Sequence, residues 1–177
     1  MLEIRRIEVG DLACNCYVIL KNDKALVIDP GDDYDLIKNE LLGKDVLGIL
    51  ITHHHFDHVG ALNALLNEYK VDVFDKDNLK EGKFDIDAFH FEVIYTPGHT
   101  SDSVTYYFKD DKVMFTGDFV FKDSIGRCDL PTGDFRVMLN SIEKIKKYDD
   151  DIVIYPGHGE KSTLGYEKTN NEYFNLK

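Results

Sequence analysis

Short apolar blocks separated by turn residues run along most of this chain, and their periods predict alternating strands and helices. IRRIEV and CYVIL read as β-rich runs, and ALVIDPG as a buried strand stopped by Pro30 and Gly31. Asp32 or Asp33 is placed to cap a helix through DYDLIKNELL, with Leu36, Ile37, Leu41 and Leu42 on one face. VLGILIT is a continuous apolar run, as expected of a strand covered on both faces. The polar cluster HHHFDH follows, then a helix GALNALLNEY with Leu62, Leu65 and Leu66 spaced for packing. VDVF, FHFEVIYT, SVTYYF and KVMFTG are further strands, the last two joined by a turn at Lys109-Asp110-Asp111-Lys112. FRVMLNSIEKIKKY is the strongest helix pattern, DIVIYPGH a last strand, and STLGYEKTNNEYF a closing helix. Apolar strands interleaved with helices predict a layered α/β sandwich.

Composition narrows the function classes. At 177 residues the chain suits one domain, residues 1–177, and 43% hydrophobic with 31% charged residues is an ordinary globular mixture. Thirty-three acids against 21 Lys and Arg leave a net charge of −12, a field that repels nucleic-acid backbones and anionic membrane surfaces. No apolar run approaches the roughly 20 residues of a membrane-spanning helix, and no secretory signal is visible. Three cysteines, with Cys14 and Cys16 on one strand face, do not make a disulfide framework. All three read as small buried residues in a reducing, cytoplasmic compartment.

Polar residues with metal-binding chemistry sit where strands end: THHHFDH after VLGILI, TPGHT after FEVIY, TGD after KVMF, PGH after DIVIY. Strand C-termini line one edge of a sheet, where ligand sites of α/β folds collect. Five of the seven histidines (His53, His55, His58, His99 and His158) lie in these turns. Imidazole with carboxylate is a transition-metal donor set. His53 and His55 project to the same side of an extended backbone, and Asp57 and His58 follow at the start of a helix. His54 points the other way and reads as a solvated or supporting residue. His90, mid-strand, reads as a core or surface histidine.

These motifs resemble those of the metallo-β-lactamase superfamily. THHHFDH matches its T-H-x-H-x-D-H signature; TPGHTSDS, FTGDFVF and YPGHGEKSTLGYEKTNNEYF resemble its later turns in order. DSIGRCDLPTGD resembles the GR-x-D-L-P-x-G-D segment of the compact glyoxalase II-like branch. The resemblance implies a four-layer αββα sandwich with two divalent metal ions at one sheet edge. It assigns His53, His55 and His99 to the first ion, Asp57, His58 and His158 to the second, and Asp118 as a bridge. Zinc is the expected metal, with iron and manganese as alternatives. Asp57 would also orient the attacking hydroxide as a catalytic residue.

Hydrolysis of a hydroxyacyl thioester such as S-lactoylglutathione by a metal-bound hydroxide is the activity so implied, with Arg127 as a candidate substrate contact. Two features depart from the glyoxalase II pattern: Asp102 stands where glycine is usual, and few residues follow His158, so no helical extension is expected to hold glutathione. Cys128 stands where Thr or Ser is common and reads as a substitution, not a catalyst. The alternatives are a mononuclear iron persulfide dioxygenase, a lactone hydrolase and, from another class, a non-catalytic metal-binding domain. A true β-lactamase is disfavoured, because those enzymes generally lack the bridging Asp that Asp118 supplies.

Overall fold

A computed structural model describes residues 1–176. Strands β1 (Glu3–Val9), β2 (Cys14–Lys21), β3 (Lys24–Ile28), β4 (Asp45–Leu50) and β5 (Asp72–Phe74) form a five-stranded sheet in that order. Its first three strands pair antiparallel, and β3, β4 and β5 pair parallel. Helix α1 (Tyr34–Glu40) supplies the crossover from β3 to β4. Helices α2 (Phe56–Val59) and α3 (Leu62–Tyr69) connect β4 to β5.

The second sheet contains β6 (Gly82–Ile86), β7 (Phe89–Tyr95), β8 (Val104–Phe108), β9 (Val113–Gly117), β12 (Val153–Pro156) and β13 (Ser162–Thr163), in the order β13-β12-β9-β8-β7-β6. A small hairpin, β10 (Val120–Phe121) with β11 (Ser124–Ile125), leads to α4 (Phe135–Ile145); α5 (Leu164–Asn170) follows β13. Asp134 caps α4, accepting from the backbone N–H of Arg136 and Val137.

Period-2 alternation along the strands builds the layers. From β2, Cys14, Cys16, Val18 and Leu20 face outward to Ile37, Leu41 and Leu65 of the first helical layer. Tyr17 and Ile19 face inward, and with Leu26, Ile28 and Leu50 they meet Phe91, Val104, Tyr106 and Phe115 of the opposite sheet. Tyr17 meets Phe115 edge-on with ring centroids 5.1 Å apart. On the far side, Met138, Ile142, Ile145 and Leu164 cover Ile94, Tyr107, Met114 and Ile154. Helix, sheet, sheet, helix is the four-layer αββα sandwich expected. Each fully buried large side chain contributes about 1.5–3 kcal/mol, so these layers stand without help from the rim.

Several local expectations change. Ile37 and Leu41 are buried, but Leu36 and Leu42 are 49% and 67% exposed, because α1 has only seven residues and packs along a narrow stripe. Asp33 occupies the N-cap position without capping: its carboxylate accepts the Gly10 N–H at 2.8 Å instead. The closing segment is not one helix. Asn171 turns extended after α5, its side chain accepts from Tyr173 N–H at 3.1 Å, and a 3-10 turn at Glu172–Asn175 follows. Cys14 and Cys16 are buried on one face as expected, whereas Cys128 is only half-buried; all three are free thiols. Among the described residues no helix is long and apolar enough to cross a membrane.

Candidate metal centre

Strands β4, β7, β9 and β12 all end at one edge of the sandwich, and the loops that leave them carry the candidate ligands. Glycine allows the close approaches that bring these loops together. A Cβ on Gly31 would lie 1.8 Å from the Asp57 carbonyl oxygen, so only glycine lets α2 seat its first turn against the loop after β3. A Cβ on Gly157 would lie 2.3 Å from Asp118 Oδ1 and 2.7 Å from His58 Cε1, inside the space the ligands enclose.

Two clusters share Asp118. In the first, His53 Nε2 lies 3.1 Å and His99 Nε2 2.9 Å from His55 Nδ1, and Asp118 Oδ2 lies 3.4 Å from His99 Nε2. These four donors converge as one potential metal-binding group. In the second, His158 Nε2 lies 3.2 Å from Asp57 Oδ2 and 3.6 Å from Asp118 Oδ2, while His58 Nε2 lies 3.3 Å from Asp118 Oδ1. All seven predicted ligand residues therefore meet at one rim.

The far ring nitrogens are tied down. His99 Nδ1 donates to the Arg127 carbonyl at 2.7 Å and His158 Nδ1 to the Leu12 carbonyl at 3.0 Å. His53 Nδ1 faces Thr52 Oγ1 at 3.1 Å, and His58 Nδ1 faces Asp29 Oδ2 at 2.9 Å. In each case Nε2 is left as the free donor, which is how proteins orient histidines for metal. His58 Nε2 and Asp118 Oδ1 are buried with no hydrogen-bond partner. Orphaned buried groups of this kind are costly, and a cation between them removes the cost. The donor set therefore fits divalent metal.

Charge divides the clusters. Burial, reinforced by neighbouring imidazoles, pushes the His53 pKa well below its usual value, and burial also lowers that of His55. Burial opposes charge on His58 too, but the Asp29 and Asp118 carboxylates outweigh it and raise its pKa. His158 is raised first by its hydrogen bond to Asp57. Asp118 is penalised by burial, yet its hydrogen bond with His58 and the surrounding imidazoles hold it far below the usual carboxylate range.

Asp29 is the functional residue that sequence reasoning passed over. At the end of β3, with φ of +49°, its carboxylate accepts Thr52 N–H at 2.7 Å, Thr52 Oγ1–H at 2.5 Å and His58 Nδ1–H at 2.9 Å. Its position, an acid at the end of a buried strand, is the one that singled out the candidate ligands, but ALVIDPG reads only as a strand stopped by Pro30 and Gly31. Other predicted residues lie outside the clusters. Arg127 is paired by two bonds of 2.7 and 2.8 Å to Asp129, both exposed. His54 points away from its neighbours, and its Nδ1 donates to Asp102 Oδ2 at 2.7 Å. His90 is exposed and paired with Asp85 at 2.6 Å.

Clefts flank the rim on two sides. One, of about 300 Å³, is lined by Gly10, Asp11, Leu12, Asp32, Phe56 and Asp57. The other, of about 320 Å³, is lined by His54, His55, Thr100, Asp102, Leu130 and Thr132. Both open beside the clustered donors, so a small molecule can reach them.

The metallo-beta-lactamase superfamily is matched over residues 9–81 and 70–158. The hydroxyacylglutathione hydrolase GloC of Haemophilus influenzae is 32% identical, over 99% of this chain and 100% of its own. A crystal structure of the BLEG-1 B3 metallo-beta-lactamase superposes with a TM-score of 0.94 at 30% identity, covering 98% of this chain and 100% of that one. TTHA1623, solved in a di-iron-bound form, superposes with a TM-score of 0.86 at 28% identity, covering 96% and 99%. Fold, rim and sequence agree, and the chain belongs to the metallo-beta-lactamase superfamily.

Proposed function

We propose that the protein is a metal-dependent hydrolase of acyl thioesters, with hydroxyacyl thioesters such as S-lactoylglutathione as the substrate class. The observation that carries this reading is the Asp118 carboxylate set between two complete donor clusters, one oxygen 3.4 Å from His99 Nε2 and the other 3.3 Å from His58 Nε2. His53, His55 and His99 would hold one ion, Asp57, His58 and His158 the second, and Asp118 both. When bound, such a pair supplies a water acidified to near neutral pKa and Lewis acidity at a carbonyl oxygen. Zinc suits the donors, and the di-iron neighbour keeps iron in the reading, with manganese beside it.

The chain's own residues do the positioning. Asp57, 13% exposed and facing His158, is placed to accept a hydrogen bond from the attacking water and fix its lone pair toward the substrate. Buried His53, His58 and His99 exclude bulk solvent from that point. A thiolate leaving group needs no strong general acid. Arg127 contributes to substrate binding by exchanging Asp129 for a substrate carboxylate, since an exposed pair of this kind is weak and easily replaced. Lys122 is similarly engaged by Glu160 at 2.8 Å. With Arg127 and Lys122 each engaged by an acid and Asp11 and Asp32 lining one cleft, the rim offers a thiol's carboxylates little net attraction, so selectivity for glutathione should be weak.

The test is a reconstituted enzyme assayed on S-lactoylglutathione, on lactoyl thioesters of a neutral and an anionic small thiol, on a β-lactam and on glutathione persulfide. Thiol release from the thioesters without oxygen uptake supports the proposal. Oxygen consumption on the persulfide, or hydrolysis confined to the β-lactam, overturns it.

A further inference from the structure

The candidate ligands of the first ion hang from two different sheets. His53 and His55 follow β4 of the five-stranded sheet, and His99 follows β7 of the six-stranded one. The apolar layer between the sheets sets their spacing only to the level of its last side chains, and the histidines stand above it at the rim. A metal site needs its donors held to within about 0.5 Å. Something must therefore fix one rim loop against the other.

We propose that His54 and Asp102 form a brace that sets the separation of the first-ion ligands, with His54 a positioning residue and not a ligand. His54 sits between the two ligand residues with its side chain turned to the opposite side. Asp102 Oδ2, from the turn that carries His99, accepts both the His54 backbone N–H at 3.1 Å and the His54 Nδ1–H at 2.7 Å. One carboxylate oxygen thus holds the main chain and the side chain of the residue between His53 and His55. The other edge of the ring is steadied from β5: His54 Nε2 lies 3.2 Å from Asp75 Oδ2, and the neighbouring Lys76 ammonium donates to the Ser101 carbonyl. Lower down, Val104 N–H donates to the Thr52 carbonyl at 2.9 Å, so the His53–His55 pair lies between two ties linking the same two loops. The far side of the His99 turn is anchored to the α4 segment, Ser141 Oγ–H donating to the Pro97 carbonyl at 2.6 Å and Asp134 N–H to the Gly98 carbonyl at 2.8 Å. A glycine at 102, the residue the family resemblance leads one to expect, could make neither bond to His54.

This inference rests on the proposed assignment of ligands to two ions, and its test separates the two. Metal-free wild type, His54→Ala, Asp102→Ala and Asp102→Asn are titrated with cobalt(II), following the visible absorption and competition with a chelator. His99→Ala and His158→Ala identify which spectral component belongs to which cluster. His54→Ala and Asp102→Ala should weaken the first-cluster cobalt by about 10–100-fold, the usual loss when a residue supporting a ligand is removed. The second-cluster cobalt should change by less than about 3-fold. Asp102→Asn keeps an acceptor oxygen for both His54 donors and should restore affinity to within about 3-fold of wild type. Thermal unfolding of the metal-free proteins should match closely, because His54 and Asp102 lie at the surface of the rim; a variant that does not fold is replaced by Lys76→Ala with Asp75→Ala, which loosens the same brace from the segment after β5. Unchanged first-cluster affinity, equal loss at both clusters, or an Asp102→Asn as damaged as Asp102→Ala overturns the brace. Failure of the wild type to take up cobalt overturns the ligand assignment, and the brace falls with it.

Discussion

The two halves of the rim use similar residues in opposite electrostatic settings. The His53–His55–His99 half is three imidazoles with one shared carboxylate, and burial depresses the basicity of His53 and His55. The Asp57–His58–His158 half has carboxylates on every side, Asp57 and Asp118 in front and Asp29 behind, and both of its imidazoles are made more basic. His53 and His55 thus give up their protons readily to an incoming cation. The second half attracts a cation more strongly by charge but holds protons that the cation must displace. Metal loading of the two halves should therefore respond differently to charge removal and to acid.

The largest effect is expected where the halves meet. Asp118→Asn keeps the shape but removes the negative charge that both proposed donor clusters share, so metal should be lost and kcat should fall by at least about 100-fold. Metal analysis near two ions per chain with unchanged turnover would break the comparison at its centre. Next comes Asp29→Asn. Its amide would present N–H groups to His58 Nδ1–H or to the Thr52 donors, leaving at least one buried group unsatisfied at about 1–3 kcal/mol. Second-half affinity should drop about 10–100-fold while the first half changes little. Chelator competition and thermal unfolding of the variant check both parts.

Acid should then separate the halves in the wild type. A ring whose pKa is raised retains its proton to higher pH, so as pH falls the proton competes with metal earlier at His58 and His158 than at His53 and His55. Stepwise dialysis from about pH 7 downward, with metal content followed at each step, should release the Asp57–His58–His158 ion first. Release of the other ion first would reverse the comparison. The smallest effect is expected at the periphery: Arg127→Ala should raise KM for S-lactoylglutathione by no more than about 5-fold, the scale of an exposed pair, with kcat unchanged. Initial rates over a range of substrate concentration decide it.

The clustering of the candidate ligands at the rim was legible because five of the seven histidines sit at strand ends, where a packing role is hard to supply. Asp29 was not, because one acid among 33 carries no signal until its partners, Thr52 and His58, are known in space. A layered α/β sandwich followed from strand and helix periods and its αββα order from the family resemblance, yet β6 was missed: GKFDI is half polar and lies at a sheet edge, where only alternate residues need be apolar. The two-residue strands β10, β11 and β13 exist only through their pairing partners. Leu36 and Leu42 failed for a related reason, since a helical pattern predicts a face but not how much of it the neighbouring sheet reaches.

The Gly157 cradle has a consequence for how the second ion could be lost during evolution or by design. The space between His58 and Asp118 is kept open by the absence of a single methyl group, which would stand 2.3 Å from Asp118 Oδ1 and 2.7 Å from His58 Cε1. Gly157→Ala would therefore act as a steric plug, not as a change of ligand chemistry: every donor would remain, yet the second compartment would be filled. Such a variant would leave His53, His55 and His99 in place while pressing on Asp118, which both clusters share, so its metal content would show how far the first cluster depends on that carboxylate.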